Sequence, residues 1–376
     1  MKLGVLTHPV AGNYGGMLQA YAMVKALNDC GYEAYNLEYE PRSFQRRLSH
    51  PIKRLKDGLR SFLYRHKLVS TKAKPPFPLA LALGKDFRTK YIPSFKIDSP
   101  EGTNLQGVDA VVVGSDQVWR RIYAAPMKSL PYFFLGFVPE AVRKASISYA
   151  ASFGTANWEG NDEETAECAR LLSEFKAVSV REKSGVDICR DSLGTQAIQV
   201  ADPTLLLQKK DYDKLIEAEN TYAPEEPFLS AYVLDNKSNI ESSLREFAKS
   251  ANVSLLHLNA LTRNISKHLS FPLSVSQWLR FIRDSQYLIT DSFHGCVFAI
   301  IFNKPFICLG NKKRGTARFD SLLSTYGLQG RLVTELTIEN VQAALTAPID
   351  WAAVNAIHEA ERERGLQFIT SNLSMA

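Results

Sequence analysis

Tyr287-Leu-Ile-Thr-Asp-Ser-Phe-His-Gly-Cys-Val-Phe-Ala-Ile-Ile-Phe-Asn-Lys-Pro-Phe-Ile307 reads as strand, polar turn, helix, turn and strand. The turn carries Asp291, Ser292 and His294, and the helix starts within it. A helix N-terminus presents backbone N–H groups and a partial positive charge, which suit an anion. His294 adds the side chain whose unperturbed pKa lies nearest neutrality. An anion site fused to a proton-transfer group points to chemistry on a phosphorylated or carboxylated ligand. The competing reading makes Ser292 a simple helix cap and His294 a surface residue.

Outward from this stretch, apolar strand-like runs alternate with helical patterns, as in α/β units built on parallel sheets. Strands are predicted at 3–7, 34–37, 110–113, 145–149, 178–181 and 197–200, with helices at 17–28, 163–174 and 184–189. Asp202-Pro203 interrupts the pattern. A second set follows: strands at 228–234, 253–258, 287–290 and 306–309, with helices at 240–249, 275–283, 321–326 and 340–345. A Glu- and Arg-rich helix over 351–368 closes the chain. The expected fold is α/β and GT-B-like: two Rossmann-like parallel-sheet domains facing an interdomain cleft. Residues 1–200 form the first, on the proposed acceptor side, with a basic insertion at 41–105. Residues 201–350 form the second, on the donor side, and 351–376 a C-terminal helix. In open α/β sheets ligands bind beyond the carboxyl ends of the strands, and the unusual polar motifs fall there.

After the first strand comes His8-Pro-Val-Ala-Gly-Asn-Tyr-Gly-Gly-Met17, where Gly12, Gly15 and Gly16 allow close backbone approach to a ligand. It is not G-x-G-x-x-G, and no acid stands where ribose would need one, so a dinucleotide fold is weakly supported. Asn13, Tyr14 and Gly15 are candidate acceptor contacts. After the strand at 110–113 comes Gly114-Ser-Asp-Gln-Val-Trp119. Asp116 and Gln117 suit sugar hydroxyls, and Trp119 would cover the apolar face of the ring. The plain alternative has Asp116 capping a helix and Trp119 in the core. Arg181, in Val180-Arg-Glu-Lys-Ser184, could grip a carboxylate or phosphate with two parallel hydrogen bonds, or be a surface ion pair. Gly310-Asn-Lys-Lys-Arg-Gly-Thr-Ala-Arg318 reads as a phosphate clamp or as a solvated basic loop.

At 376 residues, 45% hydrophobic and 22% charged, the chain is a globular protein larger than one usual domain. Its longest apolar run, Val297 to Phe302, is far too short for a membrane span. The N-terminus runs straight into a strand pattern without a signal-peptide core, and five scattered cysteines lack a C-x-x-C, so a reduced cytoplasmic setting without a zinc site is expected. The net charge of +6 is unevenly spread. Between Pro41 and Pro75 stand eleven Lys/Arg and one acid, Asp57: a local +10 against −4 for the remainder. Leu48, Ile52, Leu55, Leu59, Phe62 and Leu63 recur there at helical spacing. Residues 42–74 are therefore expected to dock on an anionic membrane surface at its inner face, or to be a solvated face. Nucleic acid is not expected, since no interleaved aromatic platform accompanies the charge.

Taken in order, Asn13–Tyr21, Val113–Trp119, Ser148–Gly154, Ser179–Ser184, Asp202–Thr204 and Thr290–Gly295 make the chain resemble the polysaccharide pyruvyl transferase family, with Arg314-Gly315 and Arg318-Phe319 completing the set. The resemblance implies a GT-B-like fold, phosphoenolpyruvate as donor, a pair of sugar hydroxyls as acceptor and no cofactor or metal. It implies that His294 is catalytic and that Arg181 contacts phosphoenolpyruvate. Ser292 and Gly295 at the helix start, with Lys313, Arg314 and Arg318 downstream, complete the candidate donor ligands. Some relatives carry Arg where this chain has Ser292, which leaves Lys313 or Arg314 to supply that contact. The acceptor that the resemblance implies is a glycan, lipid-diphosphate-linked or free, of bacterial surface polysaccharide synthesis. Two other readings stand beside it: a GT-B glycosyltransferase using a nucleotide sugar, against which the helix after Gly295 carries no acid to hold ribose, and a non-catalytic sugar- or phosphometabolite-binding protein.

Overall fold

The computed structural model describes residues 1–8, 13–38, 86–97, 105, 107–124, 130–234, 240–258, 273–310, 316–334 and 337–373. The basic stretch 42–74 lies outside the described residues, and so do Lys313 and Arg314.

The described chain separates into two units. In the first, the apolar runs become β1 (Lys2–Leu6) and β4 (Ala110–Val113), which pair in parallel with Leu3 opposite Ala110. All four residues of β4 are buried, as expected of a central parallel strand covered on both faces. With β2 (Glu33–Glu38), β3 (Ser94–Lys96) and β5 (Ile147–Ser148) they form a parallel sheet of order β3-β2-β1-β4-β5. β6 (Ser179–Val180) and β7 (Ile198–Gln199) make a separate parallel pair, joined towards β5 by single bridges Ile147–Ala177 and Ala151–Val180. The second unit repeats the plan. β8 (Phe228–Tyr232), β9 (Ser254–His257), β10 (Tyr287–Thr290), β11 (Phe306–Leu309) and β12 (Leu332–Val333) lie in parallel in the order β12-β11-β10-β8-β9.

Each sheet therefore reverses its winding once, between β1 and β4 in the first unit and between β8 and β10 in the second. Those switch points are where an open α/β sheet leaves a crevice at its strand ends. The helix Phe293–Ile301, entered from β10, is buried at all nine positions. Its sequence lacks a polar face, and such a helix is stable only inside the fold.

The unit boundary falls after Leu207, not at 200, and the last helix is divided rather than separate. Asp202 explains part of this. Its Oδ1 accepts from Thr204 N (3.0 Å) and Thr204 Oγ1 (2.7 Å), which winds Pro203–Leu206 into a 3₁₀ turn. The turn's carbonyls are then used by the last helix, Trp351–Leu373: His358 Nε2 donates to Leu205 O (3.0 Å) and Arg362 Nε to Leu206 O (3.0 Å). Residues from His358 onward belong with the first unit for that reason. The cysteines carry no disulfide; Cys168 and Cys189 are buried, and burial pushes their thiols up to about 12.

Trp119 is not a sugar platform. It is 1% exposed, its ring stacks on Phe134 at 4.9 Å, and its indole N–H donates to Phe133 O at 3.0 Å. A filled core site of this kind has no face left for a ligand. Trp119→Ala should therefore cost about 3–5 kcal/mol of folding stability in chemical denaturation. Trp119→Phe, folded, should bind a sugar acceptor as the parent does; a selective loss of acceptor affinity would return Trp119 to the site.

His358 gives a pH-dependent stability. Burial holds its pKa below the ordinary value despite the bond to Leu205. The unfolded chain takes up a proton near pH 6.5, the folded chain only at lower pH. The contribution of His358 is thus intact above about pH 6.5 and is lost as pH falls towards the folded value. Melting temperature should drop between about pH 7.5 and about pH 5.5, and His358→Gln, which keeps a donor for Leu205, should shrink the drop. His257, also held low by burial, accounts for part of what remains.

Candidate functional site at the two switch points

In the second unit, β10 ends at Thr290, whose Oγ1 donates to Tyr232 O (2.7 Å) and accepts from Ser292 N (3.0 Å). That hydroxyl pins the β10 end to the β8 end. Asp291, 4% exposed, accepts Leu234 N on Oδ1 at 2.7 Å and closes the same gap. Ser292 caps the helix, accepting from Gly295 N at 3.4 Å. Gly295 has to be glycine, because a Cβ there would collide with the Thr290 side chain. His294 is 6% exposed and stands in the first turn of this helix. Its ring lies edge-on to Phe293, 5.4 Å between centroids, and the guanidinium carbon of Arg318 lies 5.9 Å from the centroid of the same Phe293 ring. The candidate acid and a buried cation are thus packed on one aromatic side chain, although 24 residues of sequence separate them.

In the first unit, the ends of β1 and β4 are joined by a closed set of polar groups. Thr7 Oγ1 donates to Ser115 O (3.0 Å), Gln19 Nε2 donates to Thr7 Oγ1 (2.7 Å), and Ser115 N donates to Gln19 Oε1 (3.1 Å). Ser115 Oγ reaches both Ala150 O (2.8 Å) and Asp202 Oδ2 (3.1 Å), and its one proton serves one of them at a time. Gly114 has φ 121°, and a Cβ there would strike the Tyr149 carbonyl. Asp116 and Ala150 follow with φ 67° and 48°, a conformation that costs L-residues energy and is held here by the surrounding bonds.

Arg181 is the charged centre of this set. Nη1 donates to Asp202 Oδ2 at 2.8 Å, and Nη2 stands 3.5 Å from Asp116 Oδ1. Burial opposes the guanidinium charge, but the carboxylates of Asp202, Asp116 and Glu182 outweigh it and hold the pKa above the ordinary arginine value. Arg181 is therefore a buried ion pair, not the surface pair that its position in sequence also allowed. Glu182, fully buried, accepts on Oε1 from Ser152 Oγ (3.0 Å), Phe153 N (2.8 Å) and Gly154 N (3.0 Å), and so shapes the loop after β5.

Of the expected acceptor residues, Asn13 caps the helix Tyr14–Asp29, taking Gly15 N on Oδ1 at 3.1 Å; Gly15 is buried and Tyr14 partly exposed. Asp116 and Gln117 stand together at the β4 end, with Gln117 Oε1 accepting from Arg120 Nη1 at 3.0 Å. Of the expected donor residues, Ser292, Gly295 and Arg318 lie with His294 in the second unit, and Arg181 lies in the first. Sequence reasoning did not single out Gln19, Ser115, Glu182 or Asp202. Their signal is weak: Ser115, Glu182 and Asp202 stand within three positions of a strand end, where caps are equally common, and Gln19 lies in the second turn of a helix.

Comparison with known proteins agrees with this architecture. A UDP-GlcNAc 2-epimerase from Neisseria meningitidis, solved bound to UDP-GlcNAc, is 13% identical with a TM-score of 0.52, and 99% of each chain is covered. A putative UDP-N-acetylglucosamine 2-epimerase from Listeria monocytogenes is 12% identical with a TM-score of 0.53, covering 98% of this chain and 96% of that one. At such identities the likeness is one of fold, α/β and GT-B-like. No curated protein matches the chain. The profile of the family described as polysaccharide pyruvyl transferase, however, matches residues 13–313, starting at the cap of the first helix. Since that span covers most of the chain, the chain belongs to the polysaccharide pyruvyl transferase family.

Proposed function

We propose that the protein transfers the pyruvyl group of phosphoenolpyruvate to two hydroxyls of a glycan sugar, releasing phosphate and forming a cyclic pyruvate ketal, in the synthesis of a bacterial surface polysaccharide. The observation that carries the proposal is His294: a buried imidazole in the first turn of a helix, at the switch point of its sheet, packed with Arg318 on Phe293. Protonation of the donor's methylene carbon by the imidazolium leaves positive charge on the neighbouring carbon. A sugar hydroxyl attacks that carbon and loses its proton. Cleavage of the carbon–oxygen bond to phosphate and attack by the second hydroxyl close the ketal. Neutral His294 serves as base in the later steps. Ser292, Gly295 and Arg318 supply oriented donors for the anion. The reaction as written asks for no metal or organic cofactor. Lys313 and Arg314 complete the proposed donor ligands from sequence alone.

Arg181 enters this scheme with one arm anchored. Its Nη1 is committed to Asp202 at 2.8 Å, whereas the contact of Nη2 to Asp116 is long at 3.5 Å, and that is the one an anionic donor would replace. Asp116 and Gln117 are assigned to acceptor hydroxyls.

Turnover of a His294→Ala variant, followed by phosphate release from phosphoenolpyruvate, should fall by about 10²–10⁴-fold with the circular dichroism spectrum unchanged. A folded variant with near-normal turnover would falsify the assignment. Arg181→Lys keeps the charge and loses the planar fork. It should raise KM for phosphoenolpyruvate while leaving acceptor KM nearly unchanged; the opposite pattern would place Arg181 on the acceptor side.

A further inference from the structure

With Trp119 sealed in the core, the first switch point needs another aromatic if it is to hold a sugar, and one is present four residues on. Tyr123 is 41% exposed and Ile122 beside it 57% exposed, two of the few large apolar side chains that the described surface leaves open. Both belong to the short helix Arg121–Ala124, which follows the β4 loop carrying Asp116 and Gln117. Single exposed apolar residues are ordinary. What distinguishes Tyr123 is how firmly its ring is held. The His8 ring, at the end of β1, meets it edge-on with centroids 5.9 Å apart at 78°. His8 in turn stands edge-on against Phe133, 5.0 Å away at 73°, and Phe133 is fully buried. The Arg120 guanidinium lies 5.5 Å from the Tyr123 centroid, is itself only 8% exposed, and donates to Gln117 Oε1. Tyr123 is thus fixed by one side chain from the segment that follows each strand of the switch point, with Gln117 held beside it through Arg120.

A pyranose has an apolar C–H face and a polar rim, and it is bound by laying the first on an aromatic ring and giving the second hydrogen bonds. We infer that Tyr123 is the stacking platform of the acceptor-sugar subsite, with His8 and Arg120 as positioning residues that hold its ring and Gln117 and Asp116 meeting the rim. The inference rests on the reading of the chain as a transferase with a glycan acceptor. A platform held by buried groups costs little ordering on binding, so its effect falls on acceptor affinity and not on the chemical step.

Saturation-transfer NMR on the full chain tests this with three probes: methyl β-D-glucopyranoside, methyl β-D-galactopyranoside and methyl β-D-mannopyranoside. At least one should receive saturation on the ring protons of one face. Tyr123→Ala should abolish the transfer and Tyr123→Phe should keep it. His8→Ala should weaken it, and His8→Phe, which restores an aromatic edge between Phe133 and Tyr123, should recover it. With a probe that also supports phosphate release from phosphoenolpyruvate, Tyr123→Ala should raise acceptor KM about tenfold with kcat and donor KM unchanged. Transfer to none of the probes, or equal transfer in the parent and Tyr123→Ala, overturns the platform. Tyr123-dependent transfer without any phosphate release upholds the platform and counts against pyruvyl transfer. Phosphate release with an acceptor KM indifferent to Tyr123 does the reverse.

Discussion

The ion pair of Arg181 with Asp202 governs the first unit more than any other contact. The side chains are 2% and 0% exposed, and the two residues come from either side of the β6–β7 pair. Through Asp202 the pair sets the 3₁₀ turn on which the last helix lays His358 and Arg362, and through Ser115 it reaches the strained backbone after β4. Through Nη2 it faces Asp116. A buried pair of this kind contributes little net stability relative to apolar residues of the same shape, whereas removing one partner costs about 3–5 kcal/mol because the other is left charged and buried. Its value here is positional. A guanidinium has a fixed geometry, so one planar group decides where the Asp116 loop, the Glu182 loop and the Asp202 turn lie relative to one another.

The two sheets reach their switch points by different means. In the second unit the join between β8 and β10 is made by a hydroxyl and a carboxylate, Thr290 and Asp291, bonded to backbone across the gap. That leaves the helix start after Ser292 as the electrostatic feature of the place, suited to an anion. In the first unit the join between β1 and β4 is made by the Gln19 side-chain amide and the Thr7 hydroxyl, bonded to each other and to the Ser115 backbone. The charges around it are mostly carboxylates, with Arg181 compensating them. Cationic and helix-end groups thus gather at one sheet, carboxylate and amide groups around Arg181 at the other, and each set follows from residue chemistry at its own strand ends.

Much of this was legible in the sequence because apolar runs in a parallel sheet cannot hide. Ala110–Val113, Tyr287–Thr290 and Phe306–Leu309 are strands at the predicted bounds: each is a short, largely buried apolar run bounded by polar, Gly or Pro residues. The helix after Ser292 was likewise forced by its cap and by Gly295. Periodicity reports whether a side chain is apolar, not which side of a loop it faces. Trp119 looked like a ligand platform because it follows two polar residues, yet the turn at Asp116, with φ 67°, directs the next residues back into the core. The helix Lys209–Glu217 was missed because its charged residues outnumber the Tyr212, Leu215 and Ile216 it buries. The division at Leu207 was invisible because it depends on carbonyls of the 3₁₀ turn meeting side chains some 150 residues away.

The exchange of Trp119 for Tyr123 shows how a core decides a surface. A tryptophan at the β4 end stacks on Phe134 and packs near Phe153, and its one polar atom is satisfied by Phe133 O. Fixing Phe133 by that bond also fixes the ring against which His8 stands, and His8 is what meets Tyr123. The position of the exposed phenol is therefore set by a buried indole three contacts away, and substitutions at Trp119 and Tyr123 are coupled: neighbours that share a packing chain do not contribute additively. A non-aromatic residue at 119 would loosen the Tyr123 ring without touching it, whereas Phe keeps a ring against Phe134 and leaves the path through Phe133 and His8 to Tyr123 in place.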